Sequence, residues 1–151
     1  MNASARLYDT NVWLALSFAR HPCHAAAAAV FYAAESSHPA AFCRATQQSY
    51  LRLLTTPAIQ TTYGSALIIN ESAWMQSQEL LALPQIIWLG EPAGLEAEWK
   101  RAASLPSASP KVWMDAYLAA FAITSEMEFV TADRDFRRFE KDGLKLTLLA
   151  P

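Results

Sequence analysis

Carboxylates follow two short apolar runs of the sequence at the point where each run ends. Asp9 comes directly after Arg6–Tyr8. Asp133 follows Phe129–Thr131 at a distance of two residues, and Asp135 stands two residues further on. Ligands of open parallel sheets bind beyond the carboxyl ends of the strands. If the two runs are neighbouring strands of such a sheet, we expect Asp9 and Asp133 to meet at that edge.

A third position adds a carboxylate near the start of a segment that is apolar on nearly every side. Asp115 lies in the first turns of the helix predicted for residues 111–124, which leads into the strand before Asp133. That helix begins at the sheet edge where Asp9 lies, so the acids can converge. Converging carboxylates repel one another and raise a pKa. A bound divalent cation removes the conflict.

Carboxylate oxygens with no Cys or His beside them suit Mg²⁺ or Mn²⁺ rather than Zn²⁺. Mg²⁺ keeps several waters and binds through a few carboxylates together with substrate phosphates. The chemistry implied is hydrolysis of a phosphodiester, in which the ion activates a water and neutralises charge on the scissile phosphate.

Each acid also has a structural explanation, and the sequence leaves it open. Asp9 can cap the helix that follows it. Asp115 is favoured in a first turn by the helix dipole, and Asp133 and Asp135 are common turn residues. Two strand-end acids together with one on an apolar helix favour a site over three separate explanations.

Composition restricts the class of protein. The 151 residues are 53% hydrophobic and 17% charged, which excludes a disordered chain and fits one domain over residues 1–151. The four glycines form no phosphate-binding loop. The N-terminal stretch lacks the apolar region of a signal peptide, and the longest apolar stretch is too short to span a membrane. We therefore expect a cytoplasmic protein with Cys23 and Cys43 reduced and partly buried.

Short apolar strands alternate with helices along the chain, which predicts an α/β domain with a parallel sheet covered on both faces. The strands are predicted at 6–8, 39–43, 86–89, 129–131 and 144–149, the last at an edge. The helices are predicted from about 10 to 18, from 22 to 36, after a Thr46 cap as far as Thr55–Pro57, at 71–83, at 92–103 and at 111–124. Residues 58–70 are predicted to be irregular.

Four segments of the chain together resemble the PIN domain, and most closely the VapC-type ribonuclease toxins of bacterial toxin–antitoxin pairs. They are LYDTN (7–11), CRATQQSYLRLLT (43–55), WMDAYLAA (113–120) and VTADRDF (130–136). The resemblance extends from Leu7 to about Leu149. It implies a three-layer α/β/α domain with a sheet of four or five strands, Mg²⁺-dependent endoribonuclease activity and homodimers. It also implies an antitoxin partner and a structured RNA substrate such as tRNA or rRNA.

The resemblance assigns roles to individual residues. Asp9, Asp115 and Asp133 match the metal-binding acids of the family, and Asp135 matches the accessory acid. Asn11 can orient a ligand. The sequence departs from the family at the third helix, where the usual Glu is replaced.

We align that Glu with Ser49, and the nearby Gln47 is neutral as well. One fewer carboxylate predicts weaker metal binding, although either side chain can hold a metal-bound water by hydrogen bonding. Lys111, one helical turn before Asp115, and Arg134, between two acids, are candidate contacts for RNA phosphates. A solvated surface is the alternative for both.

Other features fit simpler explanations. The run HPCH (21–24) has the residue types of a metal site but lacks a second ligand pair, so a helix-entry turn is favoured. Trp74, Trp88 and Trp99 are candidates to face a partner chain.

Two further classes of function compete with the nuclease. The missing Glu allows a PIN-like module that binds RNA or protein without cleaving it. A phosphatase or a receiver domain also uses strand-end aspartates, but a phosphatase needs a second Asp where Asn11 stands. A receiver needs paired acids before its first helix, which the sequence lacks.

Overall fold

The protein is described here by a computed structural model that covers residues 4–151. The N-terminal stretch considered above for a signal peptide begins with residues 1–3, which lie outside the described part. The strands are β1 (Arg6–Tyr8), β2 (Ala40–Phe42), β3 (Ile86–Trp88), β4 (Glu128–Thr131) and β5 (Lys145–Leu148). They form one sheet in the order β3-β2-β1-β4-β5, with every neighbouring pair parallel. The predicted parallel sheet is confirmed, with β5 at an edge.

Helices cover both faces of the sheet. They are α1 (Thr10–Ser17), α2 (His24–Tyr32), α3 (Arg44–Leu54), α4 (Pro57–Thr62), α5 (Asn70–Leu81), α6 (Leu95–Ala103), α7 (Val112–Thr124) and a 3₁₀ helix (Arg134–Asp142). One apolar cluster joins the sheet to α6, α7 and the 3₁₀ helix, and a second joins it to α1, α2, α3 and α5. This is the expected three-layer α/β/α arrangement.

Alternation along β1 divides its side chains between the two clusters. Leu7 packs in the cluster with α7, and Tyr8 packs in the cluster with α1. Trp13 of α1 stacks on Phe42 of β2, with ring centroids 3.8 Å apart and planes 10° from parallel. Both rings are fully buried, and burial of a large apolar side chain contributes on the order of 2 kcal/mol. This contact fixes the start of α1, and hence Asp9, against the sheet.

The predicted boundary of α3 was wrong. The helix begins at Arg44, and Thr46 is its third residue rather than its cap. The Thr46 hydroxyl accepts a hydrogen bond from the Cys43 N–H at 3.1 Å and so satisfies the backbone before the helix. Thr46 is the third residue of the helix, and its side chain bonds back to the N–H of the N-cap residue Cys43, as the third residue of a capping box does.

The prediction that residues 58–70 are irregular was also wrong, because residues 57–62 form α4. Pro57 ends one helix and starts the next, since proline at a first helical position lacks only an N–H that has no partner there. The predicted helix at 22–36 is shorter, and α2 covers His24–Tyr32.

Helix α7 is central, as predicted, but it is not buried throughout. Its middle, Leu118–Ala122, is enclosed by the core, whereas Trp113 is 57% and Met114 47% exposed in the first turn. Cys23 and Cys43 are free and buried, in agreement with the sequence expectation. Within residues 4–151, no helix is long and apolar enough to cross a membrane.

Candidate active site

Strands β1 and β4 are neighbours, which is the condition for Asp9 and Asp133 to share one edge. Tyr8 is in register with Val130. The Asp9 N–H extends this ladder by donating to the Val130 carbonyl at 2.9 Å. The chain therefore turns away from the sheet at the same height after both strands.

The Asp9 carboxylate is almost fully enclosed and accepts three hydrogen bonds. Its Oδ1 accepts from the Thr10 N–H at 2.8 Å, so Asp9 does cap α1. Its Oδ2 accepts from the Thr131 hydroxyl at 2.7 Å and from the Asn11 side-chain amide at 3.2 Å. A helix cap needs only the first contact, so the other two serve to orient the carboxylate.

Asn11 connects the turn after β1 to the turn after β4. Its Oδ1 accepts from the Ala132 N–H at 3.2 Å, and its Nδ2 also lies 3.3 Å from the Thr131 hydroxyl oxygen. The side chain predicted to orient a ligand thus orients Asp9 and the backbone that leads to Asp133.

Thr131 is a positioning residue that the sequence reasoning missed. Its fully buried hydroxyl donates to Asp9 and accepts from the Asp133 N–H at 3.0 Å. One oxygen therefore sets the relative position of two candidate acids. The available signal was a hydroxyl at the last position of an otherwise apolar strand, two residues before an acid.

The acids share one electrostatic field. Burial raises the pKa of Asp9 from 3.8 to about 6, against the lowering effect of the Thr131 and Thr10 hydrogen bonds. The charges of Asp115 and Asp133 raise the Asp9 pKa further. Burial also raises the pKa of Asp115, with Lys111 opposing the shift and Asp133 and Asp135 adding to it. The negative charges of Asp9, Asp115 and Asp133 thus act on one another at this edge of the sheet.

Lys111 pairs with the two acids that follow β4. Its ammonium lies 2.7 Å from Asp135 Oδ2 and 3.4 Å from Asp133 Oδ2. The hydrogen bond from Lys111 lowers the pKa of Asp135. Asp133 Oδ1 in turn accepts from the Asp135 N–H at 2.9 Å. Arg134, between these acids in the sequence, is exposed to solvent.

Carboxylate oxygens at the strand ends fit a hard divalent ion that retains water. In the part of the chain that the structure describes, no basic side chain forms an ion pair with Asp9 or Asp115. Lys111 forms ion pairs with Asp133 and Asp135. Among residues 4–151, no group of three or more His, Cys, Asp or Glu side chains is placed to hold a metal ion together. A cation here would be held by few protein ligands and several waters, which is the way Mg²⁺ binds.

The first turn of α3 presents Gln47 inward. Gln47 is 6% exposed, and its Oε1 accepts from the Arg44 guanidinium at 2.6 Å. Ser49 is half-buried and lies about 200° further around the helix. The two neutral candidates for the missing Glu therefore do not share a face, and Gln47 is the one that points into the protein.

The other sequence features have structural roles. His21 Nδ1 accepts from the Cys23 N–H at 3.0 Å, and His24 Nδ1 lies 2.7 Å from the Ala15 carbonyl oxygen. These contacts form the entry to α2, as the simpler explanation predicted. Trp74 and Trp88 are exposed, whereas Trp99 packs edge-to-face on a neighbouring ring.

Comparison with known proteins gives consistent matches. Residues 6–142 match the model of the PIN domain family. The chain is 46% identical over 145 residues to Ribonuclease VapC41 of Mycobacterium tuberculosis, in strains CDC 1551/Oshkosh and ATCC 25618/H37Rv. These alignments cover 95% of this chain and 98% of the relative.

Two solved structures share the fold. One is the crystal structure of VapBC2 from Rickettsia felis bound to a DNA fragment from their promoter. It has a TM-score of 0.62 and 12% identity, and the match covers 97% of this chain and 99% of that one. The other is Mycobacterium tuberculosis VapC20, a sarcin-ricin loop cleaving toxin. Its TM-score is 0.60 at 18% identity, over 88% of this chain and 93% of that one.

Proposed function

Because the chain belongs to the PIN domain family, we propose that it is a metal-dependent endoribonuclease toxin that hydrolyses phosphodiester bonds in RNA. The observation that carries the proposal is the buried Asp9 carboxylate. It lies at the carboxyl edge of a parallel sheet, where the charges of Asp115 and Asp133 raise its pKa, and it has no basic partner among the described residues. The 46% identity to a protein named as a ribonuclease supports the same activity.

The proposed ligands of the cation are Asp9, Asp115 and Asp133, with Asp135 assisting. Mg²⁺ is the expected ion and Mn²⁺ the alternative, because every proposed ligand is a carboxylate oxygen. When bound, the ion activates the attacking water and neutralises charge on the scissile phosphate.

Other side chains of the protein are proposed to orient the acids and to bind the RNA. Thr131 and Asn11 hold the Asp9 carboxylate in one orientation, which limits the reorganisation needed when substrate binds. Lys111 and Arg134 lie beside the acids on the exposed side and supply positive charge for RNA phosphates. Gln47 is the inward-facing neutral side chain of α3, two positions before the Ser49 with which the family's Glu is aligned, and its side-chain carbonyl oxygen accepts a hydrogen bond from Arg44.

The substrate and partners follow from the same family. We propose a structured RNA such as tRNA or rRNA as the substrate and the cytoplasm as the place of action. A cognate antitoxin is the proposed protein partner, and a homodimer the proposed assembly. Exposed apolar side chains at α5 support a protein contact, since Ile69, Trp74 and Met75 are each about half exposed. One PIN domain over residues 1–151 is the matching proposal for the chain.

The test is RNA cleavage by the pure protein, freed of antitoxin, with Mg²⁺ or Mn²⁺ and with a chelator. We expect cleavage that requires the metal. Asp115→Asn removes one carboxylate charge and should reduce the rate at least about 10²-fold, the scale of losing one preorganised charge interaction. Asp142→Asn is the matched control, because Asp142 precedes β5 at the opposite edge of the sheet.

Each outcome has a defined meaning. Cleavage that depends on metal and on Asp115, but not on Asp142, supports the nuclease. Cleavage retained in Asp115→Asn excludes this acid from the mechanism. A folded protein that binds RNA without cleaving it favours the non-catalytic PIN-like module.

A further inference from the structure

Lys111 divides the candidate acids into two pairs. Its ammonium contacts Asp133 and Asp135, both of which follow β4. Asp9 and Asp115 have no such partner within residues 4–151. Lys111 therefore contacts two of the four carboxylates and lies at one side of the cluster, while Arg138 acts on Asp115 and Asp135 through its charge without forming an ion pair among the described residues.

The position of Lys111 in the fold explains why it contacts the acids after β4. It is the residue directly before α7, and Asp115 follows it by four positions on the same helix face. The backbone that places Asp115 at the sheet edge thus also places the ammonium between Asp115 and the turn after β4. Both oxygens of Asp133 are engaged, because Oδ1 accepts from the Asp135 N–H and Oδ2 lies 3.4 Å from the Lys111 ammonium, so Asp133 would hold the proposed ion through a bound water.

Nucleases with two metal ions place them about 3.5–4 Å apart between shared carboxylates. A second divalent ion at this site would need Asp133 or Asp135, and Lys111 already lies within 3.4 Å of both. We propose that Lys111 acts as a built-in second cation, which restricts the acidic cluster to one divalent ion held near Asp9 and Asp115. This inference rests on the proposed function, because it concerns the metal of that same site.

The exposure of Lys111 determines how large an effect on metal affinity we expect. Its side chain is 65% exposed, so its ion pairs are screened by water and can be displaced. The expected effect is therefore a difference in affinity between a first and a second ion. A charge at this range shifts an ionic equilibrium by one to three orders of magnitude, so removing Lys111 should tighten binding at the second position at least about tenfold.

The test is titration of the metal-free protein with Mn²⁺, followed by the electron paramagnetic resonance signal of the free ion. We expect one Mn²⁺ per chain in the wild type. Lys111→Gln should bind a second Mn²⁺, or bind the ions at least about tenfold more tightly in total. Lys111→Arg keeps the charge and should behave as the wild type. Lys145→Gln makes the same charge change at the start of β5, at the opposite edge, and should leave the stoichiometry at one.

Two results overturn the inference: two ions of similar affinity in the wild type, or the same binding curve for Lys111→Gln and wild type. Circular dichroism of each variant verifies folding, which is expected to persist because Lys111 is exposed. RNA cleavage together with unchanged binding in Lys111→Gln counts against this inference alone. The predicted binding pattern without RNA cleavage counts against the proposed nuclease alone.

Discussion

The Thr131 hydroxyl donates a 2.7 Å hydrogen bond to the Asp9 carboxylate, although the two residues stand 122 positions apart in the chain. The same oxygen accepts from the Asp133 N–H. The strands that carry these residues are adjacent in the sheet, so a single side chain joins their two ends. The geometry of the candidate site therefore depends on the pairing of β1 with β4.

Replacing Thr131 with Val keeps the shape of the side chain and removes the oxygen. Asp9 then loses a donor and the Asp133 N–H loses its acceptor in a buried position, which costs about 1–3 kcal/mol. Urea unfolding of the metal-free protein measures this loss. Thr131→Ser retains the oxygen and should recover most of the hydrogen-bond contribution. Equal stability of Thr131→Val and wild type would show that the hydroxyl does not hold the site together.

Divalent cations should stabilise the folded protein, because only the native state brings the charges of Asp115 and Asp133 to act on Asp9. At one hundred times Kd a bound ligand adds about 2.7 kcal/mol to the unfolding free energy. For a chain of this size that corresponds to a rise in Tm of about 5–10 °C. Thermal unfolding with Mg²⁺ or Mn²⁺ checks this, and Asp115→Asn should reduce the shift. An unchanged Tm at every metal concentration would indicate that the acids do not bind the ion together.

The raised pKa of Asp9 predicts how the stability of the metal-free protein depends on pH. Because the folded-state pKa of about 6 exceeds 3.8, the folded state holds this proton more tightly than the unfolded state. The resulting stabilisation is complete below about pH 4 and is lost as the pH rises through 6.

Asp9→Asn cannot ionise, so its stability relative to wild type should increase by roughly 3 kcal/mol between pH 4 and pH 7. Chemical unfolding at a series of pH values, with a chelator present, gives this difference. Parallel stability curves for the two proteins would contradict the assignment of the pH dependence to Asp9.

The effect of adding a carboxylate to α3 on metal affinity should depend on which residue is replaced. Gln47→Glu places the charge on the inward face, beside the Arg44 guanidinium that already contacts Gln47. We expect Mn²⁺ to bind about tenfold more tightly to this variant. Ser49→Glu adds the same charge on a different face of the helix and should leave the affinity unchanged. Isothermal titration of both variants decides between the two positions, and a gain only in Ser49→Glu would support the alignment made from sequence.

The sequence was sufficient to predict that Asp9 and Asp133 lie at the ends of neighbouring strands, because one rule connects both residues to the sheet. A strand-end acid is placed by the end of its strand, and the strands 6–8 and 129–131 were recognisable from their apolar runs. Thr131 was missed because threonine is a common strand residue, and its hydroxyl gains a role only when β1 becomes a neighbour.

Rules that assign helix boundaries from single residue types failed where the same residue type can end, begin or cap a helix. Pro57 was interpreted as the end of a helix, but it also begins α4. Thr46 was interpreted as a cap, but it contacts the cap from inside the helix. The exposure of Trp113 was missed because an apolar helix predicts burial on average and gives no sign of where one end leaves the core.

The pairing of β1 with β4 also has a consequence for the synthesis of the protein. Asp9 leaves the ribosome 122 residues before Thr131, and Asp133 emerges shortly after Thr131. Domains generally fold as units during synthesis, and β1 cannot pair with β4 before β4 has emerged. A nascent chain therefore carries Asp9 without the Thr131 hydroxyl that orients it until β4 has been synthesised. A protein proposed to cut RNA thus has no assembled centre until β4 has left the ribosome.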